Sequence, residues 1–293
     1  MAFAFELADR NAAKAVRRIV RDRLAASSAL IADRSLPPAE LVHELRKNIK
    51  KSRAALRLVR PGLKAFGREN DALREAARLM EPLRDADVLS QTFDRIAAKL
   101  HLPQATQIRL REALAAPQGD APDTEAVYAA HAEAINEIAA RAKGWKAHGS
   151  GFDALSGGLE RSWEDARDAL EKAASSPTPE RLHRWRRRVK DHWYHARLLA
   201  PVWPEMMHPH VMAADTLGEM LGDVRDLATL IEALAGIEGG DEVCAQAARE
   251  EARLRTDAFA LGLRFFREPA HGLSRRWRGW WEIWTDRSGQ SSE

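Results

Sequence analysis

Two stretches of the chain, ELVHELRKNIKKSRAALRLVRP at 40–61 and ERLHRWRRRVKDHWYHARLLAP at 180–201, align without a gap. Seven positions are identical: Glu40/Glu180, His43/His183, Arg46/Arg186, Lys50/Lys190, Arg57/Arg197, Leu58/Leu198 and Pro61/Pro201. Apolar residues in the first copy are Val42, Leu45, Ile49, Leu56 and Val59, and in the second Leu182, Trp185, Val189, Ala196 and Leu199. Steps of three and four put each set on one side of an α-helix. One polar residue interrupts both at the same place, Ser52 and His192. Each copy therefore predicts a helix with a buried seam.

The remainder of the chain reads the same way. Ala, Leu, Arg and Glu dominate long segments, and the alternation typical of strands is nearly absent. Breaks fall at Pro37-Pro38, Pro61-Gly62, Pro103, 117–122, Gly149 to Gly158, Ser175 to Pro179, Pro201 to Pro204, and Gly236 to Gly240. They leave helical segments of about 15 to 30 residues joined by short connections. Each repeated stretch follows a proline-containing break and precedes a segment with an Arg-Asp pair, PLRDADVL at 82–89 and DVRDLATL at 223–230. The expected fold is all-α: one elongated helical domain over 1–293, built from two pseudo-symmetric antiparallel helical-bundle halves at about 8–147 and about 155–287.

Net charge says little about function, because 46 basic side chains against 43 acidic ones leave only +3 over 293 residues. A polyanion site must then come from local segregation of charge. His43, Arg46, Lys50, Arg53 and Arg57 repeat the seam's steps displaced by one residue, so they run beside it for about 21 Å. Lys47 and Lys51 widen the stripe, and Glu44, the only acid in 43–57, is expected to point away. The second copy offers His183, Arg186, Arg187, Lys190 and Arg197, with Trp193 where Arg53 stands in the first.

A charge run is ordinarily a solvated face. Here like charges four apart repel by a few tenths of a kcal/mol each, scarcely any acid relieves them, and the pattern occurs twice. Two such stripes facing each other would make an electropositive groove. A third stripe on the first helix, Lys14, Arg17, Arg18 and Arg21 beside Val16, Ile19, Val20 and Leu24, is expected either to wall the same groove or to act as a solubilising face. A histidine among cations is pushed towards neutrality and a bound polyanion favours its protonated form, so His43 and His183 predict tighter binding at mildly acidic pH. The alternative role is a neutral histidine at the seam edge that orients an Arg or Asp.

Other residues carry weaker signals. Asp85, Asp87, Asp223 and Asp226 are metal-ligand candidates, but no His-Asp dipeptide accompanies them, and pairing with Arg84, Arg225 or the basic stripe is the expected role. Trp277, Trp280, Trp281 and Trp284 lie at helical spacing beside Arg275, Arg276 and Arg278; helix packing is expected over the stacking of nucleic-acid bases. The single cysteine, Cys244, excludes an internal disulfide and reads as a buried structural thiol. No glycine-rich phosphate loop, Ser-His-Asp arrangement or pair of catalytic glutamates is present. Without a signal-like leader or about 20 consecutive apolar residues, no membrane association is expected and the default location is the cytoplasm.

The stretch GLERSWEDARDALEKAASSPTPERLHRWRRRVKDHWYHARLL at 158–199 resembles the second-half signature of the CHAD (conserved histidine α-helical) domain. Leu182, His183, Arg186, Lys190 and Tyr194 occupy its motif, while LVHELRKNIKKSRAALRLV puts His43, Arg46, Lys50, Arg53 and Arg57 in the first half's basic positions. The resemblance runs from about residue 8 to about residue 285. It implies two four-helix-like halves and a basic channel that binds inorganic polyphosphate and directs the protein to polyphosphate granules. Trp193 in place of a basic residue and Asp191 beside Lys190 depart from the pattern, so the second copy is expected to bind more weakly. The Glu-x-Glu-x-Lys motif of the triphosphate tunnel domains often fused to this family is absent, which implies binding without hydrolysis, with no cofactor and no metal. RNA, which satisfies the same cations, is the second partner class, and a metal-dependent phosphohydrolase the third reading. Nothing in the sequence sets an oligomeric state.

Overall fold

Helix starts and stops follow local chemistry. In the computed structural model, which describes residues 3–9, 11–81, 83, 87–115 and 123–290, with backbone alone at 87 and 287–290, helix α1 (Ala12–Asp33) begins where the Asn11 side chain accepts the Lys14 N–H. It ends at Arg34, whose positive φ of 53° turns the chain out of the helix. Helices α2 (Pro38–Leu58) and α8 (Pro179–Leu199) start alike, with proline in the first turn, where its missing N–H costs nothing, and an acid close behind. The others are α3 (Phe66–Arg78), α4 (Asp87–Ala97), α5 (Gln104–Ala115), α6 (Thr124–Ala142), α7 (Asp153–Ser175), α9 (Pro204–Leu234), α10 (Asp241–Phe265) and α11 (Ala270–Gln290), with a 3₁₀ turn at Ala200–Val202. No strand occurs among the described residues, so the all-α fold class holds.

α1, α2, α3 and α6 pack around one another, and so do α7, α8, α9 and α10. α2 joins the groups by packing on both α7 and α8, while α4 and α5 lie against α9 and α4 also touches α10. One apolar core runs from Phe5 through α1, α2, α7 and α8 to Trp277 and Trp281, and a smaller one gathers Leu41, Val42, Leu45, Met80 and Tyr128. The seam residues named above are all buried. Each large aliphatic side chain among them contributes about 1.5–3 kcal/mol of transfer free energy.

Two features depart from expectation. The break read at Gly149 to Gly158 ends earlier, because α7 runs through Gly157 and Gly158. Gly158 is required by packing: a Cβ there would lie 2.1 Å from the Leu58 carbonyl oxygen and 2.4 Å from that of Arg57. Lys51 does not widen an exposed stripe. It is buried, with its ammonium 5.6 Å from the Phe3 ring centroid, because the N-terminal segment folds over this side of α2 and the Phe5 N–H donates to Leu198 O. Burial, followed by repulsion from Lys47, Arg23 and Arg197, pushes the Lys51 ammonium down to about 8.

Candidate anion-binding site

Polar contacts join α2 to α8 at their apolar junction. Arg57 donates to Asp191 at 2.9 Å, and the His195 Nε2–H donates to the Ala54 carbonyl at 2.9 Å. Beside this junction lies a cavity of about 300 Å³, lined from α2 by Lys50, Arg53 and Arg57 and from α8 by Arg186, Arg187, Arg188, Lys190, Asp191 and Tyr194. Among the described residues, seven cationic side chains thus face one lining carboxylate, and the two copies of the repeat supply these walls.

That imbalance registers on the side chains. Burial pushes the Arg53 guanidinium down to about 10; Arg57, Arg74 and Arg187 repel it further and only Asp191 opposes them. A neutral partner is Asn70, whose amide oxygen accepts from the Arg53 Nε–H at 3.3 Å. Tyr194 is buried against Phe3, with its hydroxyl pushed up to about 12 by burial, so it stays a neutral donor. Asp191 holds two arginines, Arg57 at 2.9 Å and Arg188 at 3.4 Å, and Asp165 of α7 sits 3.7 Å from both Arg188 and Arg60. This alternating ladder fixes guanidinium groups that would otherwise spread apart. Asp191→Asn is expected to lower stability by about 2 kcal/mol, since the Arg57–Asp191 pair is only 12% and 16% exposed. An unchanged thermal melting curve would contradict that.

The α8 wall is tuned by α9. Lys190 donates to Asp215 at 3.1 Å and to Glu219 at 2.8 Å, and Arg186 donates to the Gly218 carbonyl at 3.3 Å. Burial acts to raise the Glu219 carboxyl, but Lys190, with Arg186 and Lys50 behind it, holds it below the ordinary carboxylate range. Gly218 and Gly222 open the furrow these side chains cross: a Cβ at Gly218 would lie 2.6 Å from Lys190 Cδ, and one at Gly222 3.0 Å from an Arg186 guanidinium nitrogen. Trp193, standing where a cation was expected, is flanked by Lys190 at 4.1 Å and Arg197 at 4.7 Å from its ring centroid. Its π face satisfies two cations in place of supplying a third.

The structure therefore brings together Lys50, Arg53, Arg57, Arg186, Arg187 and Lys190, and adds Arg188, Asp191 and Tyr194. Arg46 and Arg197 do not line the cavity, and His43 and His183 sit in the second turns of α2 and α8, outside it. Lys47 pairs with Glu44 at 2.7 Å, so Glu44 turns towards a cation of its own helix. The α1 stripe does not wall this cavity. Lys14, Arg17, Arg18 and Arg21 line a separate groove against α6, because α1 packs between α2 and α6 and turns this face to the latter.

Elsewhere, Trp277 and Trp281 are buried in the core, as packing predicts, whereas Trp280 and Trp284 border an open depression with Trp203. Cys244 is half-buried rather than buried, its thiol pushed up by burial and by Asp241. Arg84 and Asp85 lie outside the described residues, as does the side chain of Asp87. Asp223 lies 3.7 Å from Arg95. Among the described residues, no group of three or more His, Cys, Asp or Glu is placed to hold a metal, and no helix is long and apolar enough to cross a membrane.

An all-helical protein with a cation-lined cavity between two repeated helices is the class this geometry defines. The chain belongs to the CHAD domain family, whose model matches residues 6–235. Comparison with curated proteins finds no match.

Proposed function

We propose that the α2–α8 cavity binds inorganic polyphosphate without hydrolysing it and so brings the protein to polyphosphate granules. The observation that carries this reading is the excess of seven cations over one lining carboxylate, with the Arg53 guanidinium pushed down to about 10. Repelling, partly desolvated arginines raise the energy of the empty cavity, and a polyanion relieves them. Polyphosphate has a charged oxygen on every unit, which suits repeated guanidinium forks and tolerates sliding of the chain. Family membership supports the same ligand, and the shared α2/α8 motif supports reading about 8–147 and about 155–287 as related halves. With Lys190 clamped by two α9 carboxylates, α2 carries more of the binding.

Titration with long-chain polyphosphate tests this. Binding driven by counterion release weakens steeply with salt. Arg53→Ala combined with Arg187→Ala is expected to lower affinity about tenfold or more and to reduce the slope of log K against log salt by about 1.5–2. Unchanged affinity and slope would mean the cavity is not the site. RNA displacing polyphosphate at equal phosphate concentration would favour the nucleic-acid reading. Orthophosphate release with magnesium or manganese would establish a phosphohydrolase.

A further inference from the structure

A second cationic groove lies between α1 and α6, with a volume of about 530 Å³, and shares no lining residue with the α2–α8 cavity. Its cations divide by their bonding. Arg17 donates to the carbonyls of Lys143 and Trp145 at 3.2 and 3.4 Å, covering the C-terminal end of α6. Uncovered, those carbonyls and the helix dipole would repel an anion. Arg18 is held by Asp9 at 2.7 Å, Glu6 at 3.0 Å and Asp22 at 3.4 Å, and Asp22 is the only acid among the described residues of the lining.

Lys14, Arg21 and Lys143 remain. All three are exposed, and no carboxylate of the described residues pairs with them. Between them the floor is low and polar at one point: Ala25, Ala139 and Ala140 leave room, and the Ser28 hydroxyl donates to Asn136 Oδ1 at 2.9 Å. That bond leaves the Asn136 amide NH₂ to donate towards a ligand. The groove thus combines cations without counterions, a masked helix C-terminus, space, and a neutral donor.

We infer that the α1–α6 groove is a second, independent polyphosphate site, so that one molecule holds a long chain at two places or holds two chains. The inference rests on the ligand proposed for the α2–α8 cavity. A chain long enough to reach both sites gains from the second contact as an intramolecular step, whereas a short one does not. Affinity then rises with chain length beyond what one site gives, and two protein faces can bridge separate polymers.

The test compares Lys14→Ala/Arg21→Ala/Lys143→Ala with Arg53→Ala/Arg187→Ala, using tripolyphosphate for stoichiometry and long-chain polyphosphate for affinity. The three residues of the groove variant are exposed and pair with no carboxylate among the described residues, so its helicity should be retained, and circular dichroism checks this. The unaltered protein is expected to take up two equivalents of tripolyphosphate, and each variant one. The groove variant should also lose about tenfold or more in long-chain affinity. A single equivalent in the unaltered protein, kept by the groove variant with unchanged long-chain affinity, overturns the second site while leaving the cavity reading intact. Loss of RNA binding without loss of polyphosphate binding would assign the groove to nucleic acid and overturn it too. If neither ligand binds the unaltered protein, both readings fall.

Discussion

Gly158→Ala is expected to destabilise the protein by more than about 4 kcal/mol, enough to unfold a domain of ordinary stability. The added methyl would sit 2.1 Å from Leu58 O and 2.4 Å from Arg57 O, both backbone atoms at the end of α2 that no side-chain rotation can move. Relief requires lifting α7 away from α2, which opens the packing of Leu155, Leu159 and Ser162, all buried. Alanine's better helix propensity returns only about 1 kcal/mol. Gly157→Ala is the control, since its Cβ would meet only the Pro61 side chain, at 3.2 Å, and is expected to change stability by about 1 kcal/mol or less. Urea unfolding followed by circular dichroism distinguishes them; matching midpoints for Gly158→Ala and the unaltered protein would refute the argument. Because Arg57 stands at that contact, a partly folded Gly158→Ala protein should also lose polyphosphate binding.

Gly158 also shows what a sequence can and cannot disclose. A Gly-Gly pair after Gly149 and Gly151 looks like the end of a connection, yet the second glycine is there because two helices touch backbone to backbone. By contrast, the seams of α2 and α8 were legible, because burial of Val42, Leu45 and Ile49 or of Trp185 and Val189 follows from helical period alone. The cationic cavity was half legible. Lys50, Arg53 and Arg57 share a face with helical spacing, but Arg188 lies two residues from Arg186, off the stripe; its signal was Asp191, three residues on. What α9 does to Lys190 was not legible, since Asp215 and Glu219 meet it only once α8 and α9 pack. The α1 stripe has the period of a groove wall, but period cannot say which neighbour it faces, and that neighbour is α6.

Stability is expected to fall steeply as pH drops from about 6.5 to about 4, driven by His192 and His195, both buried, and by half-buried His210. His192 and His210 face each other at 2.7 Å between their Nε2 atoms, so one donates and the other accepts, and the two cannot both be protonated. Trp163, Trp277, Phe265 and Phe266 enclose the pair. Burial pushes His210 down to about 4, helped by Arg276, and holds His192 well below 6.5 with His210 and His195 adding to it. Burial also takes His195 down to about 4, where Asp191 and the bond to Ala54 oppose it and Arg57 and Arg60 assist. In each case the folded value lies below the unfolded one. The unfolded chain therefore binds protons first on acidification, and the stability present above about 6.5 is lost as pH falls towards about 4. A shift from 6.5 to about 4 corresponds to roughly 3 kcal/mol per group, so the summed loss is several kcal/mol. Urea midpoints at pH 7, 5.5 and 4.5 measure it, and a constant midpoint from pH 7 to 4.5 would sink the claim. His195→Gln, whose amide can still donate to the Ala54 carbonyl, should make the dependence shallower by about one proton. A variant with the unaltered protein's pH slope would show that His195 is not one of the groups responsible.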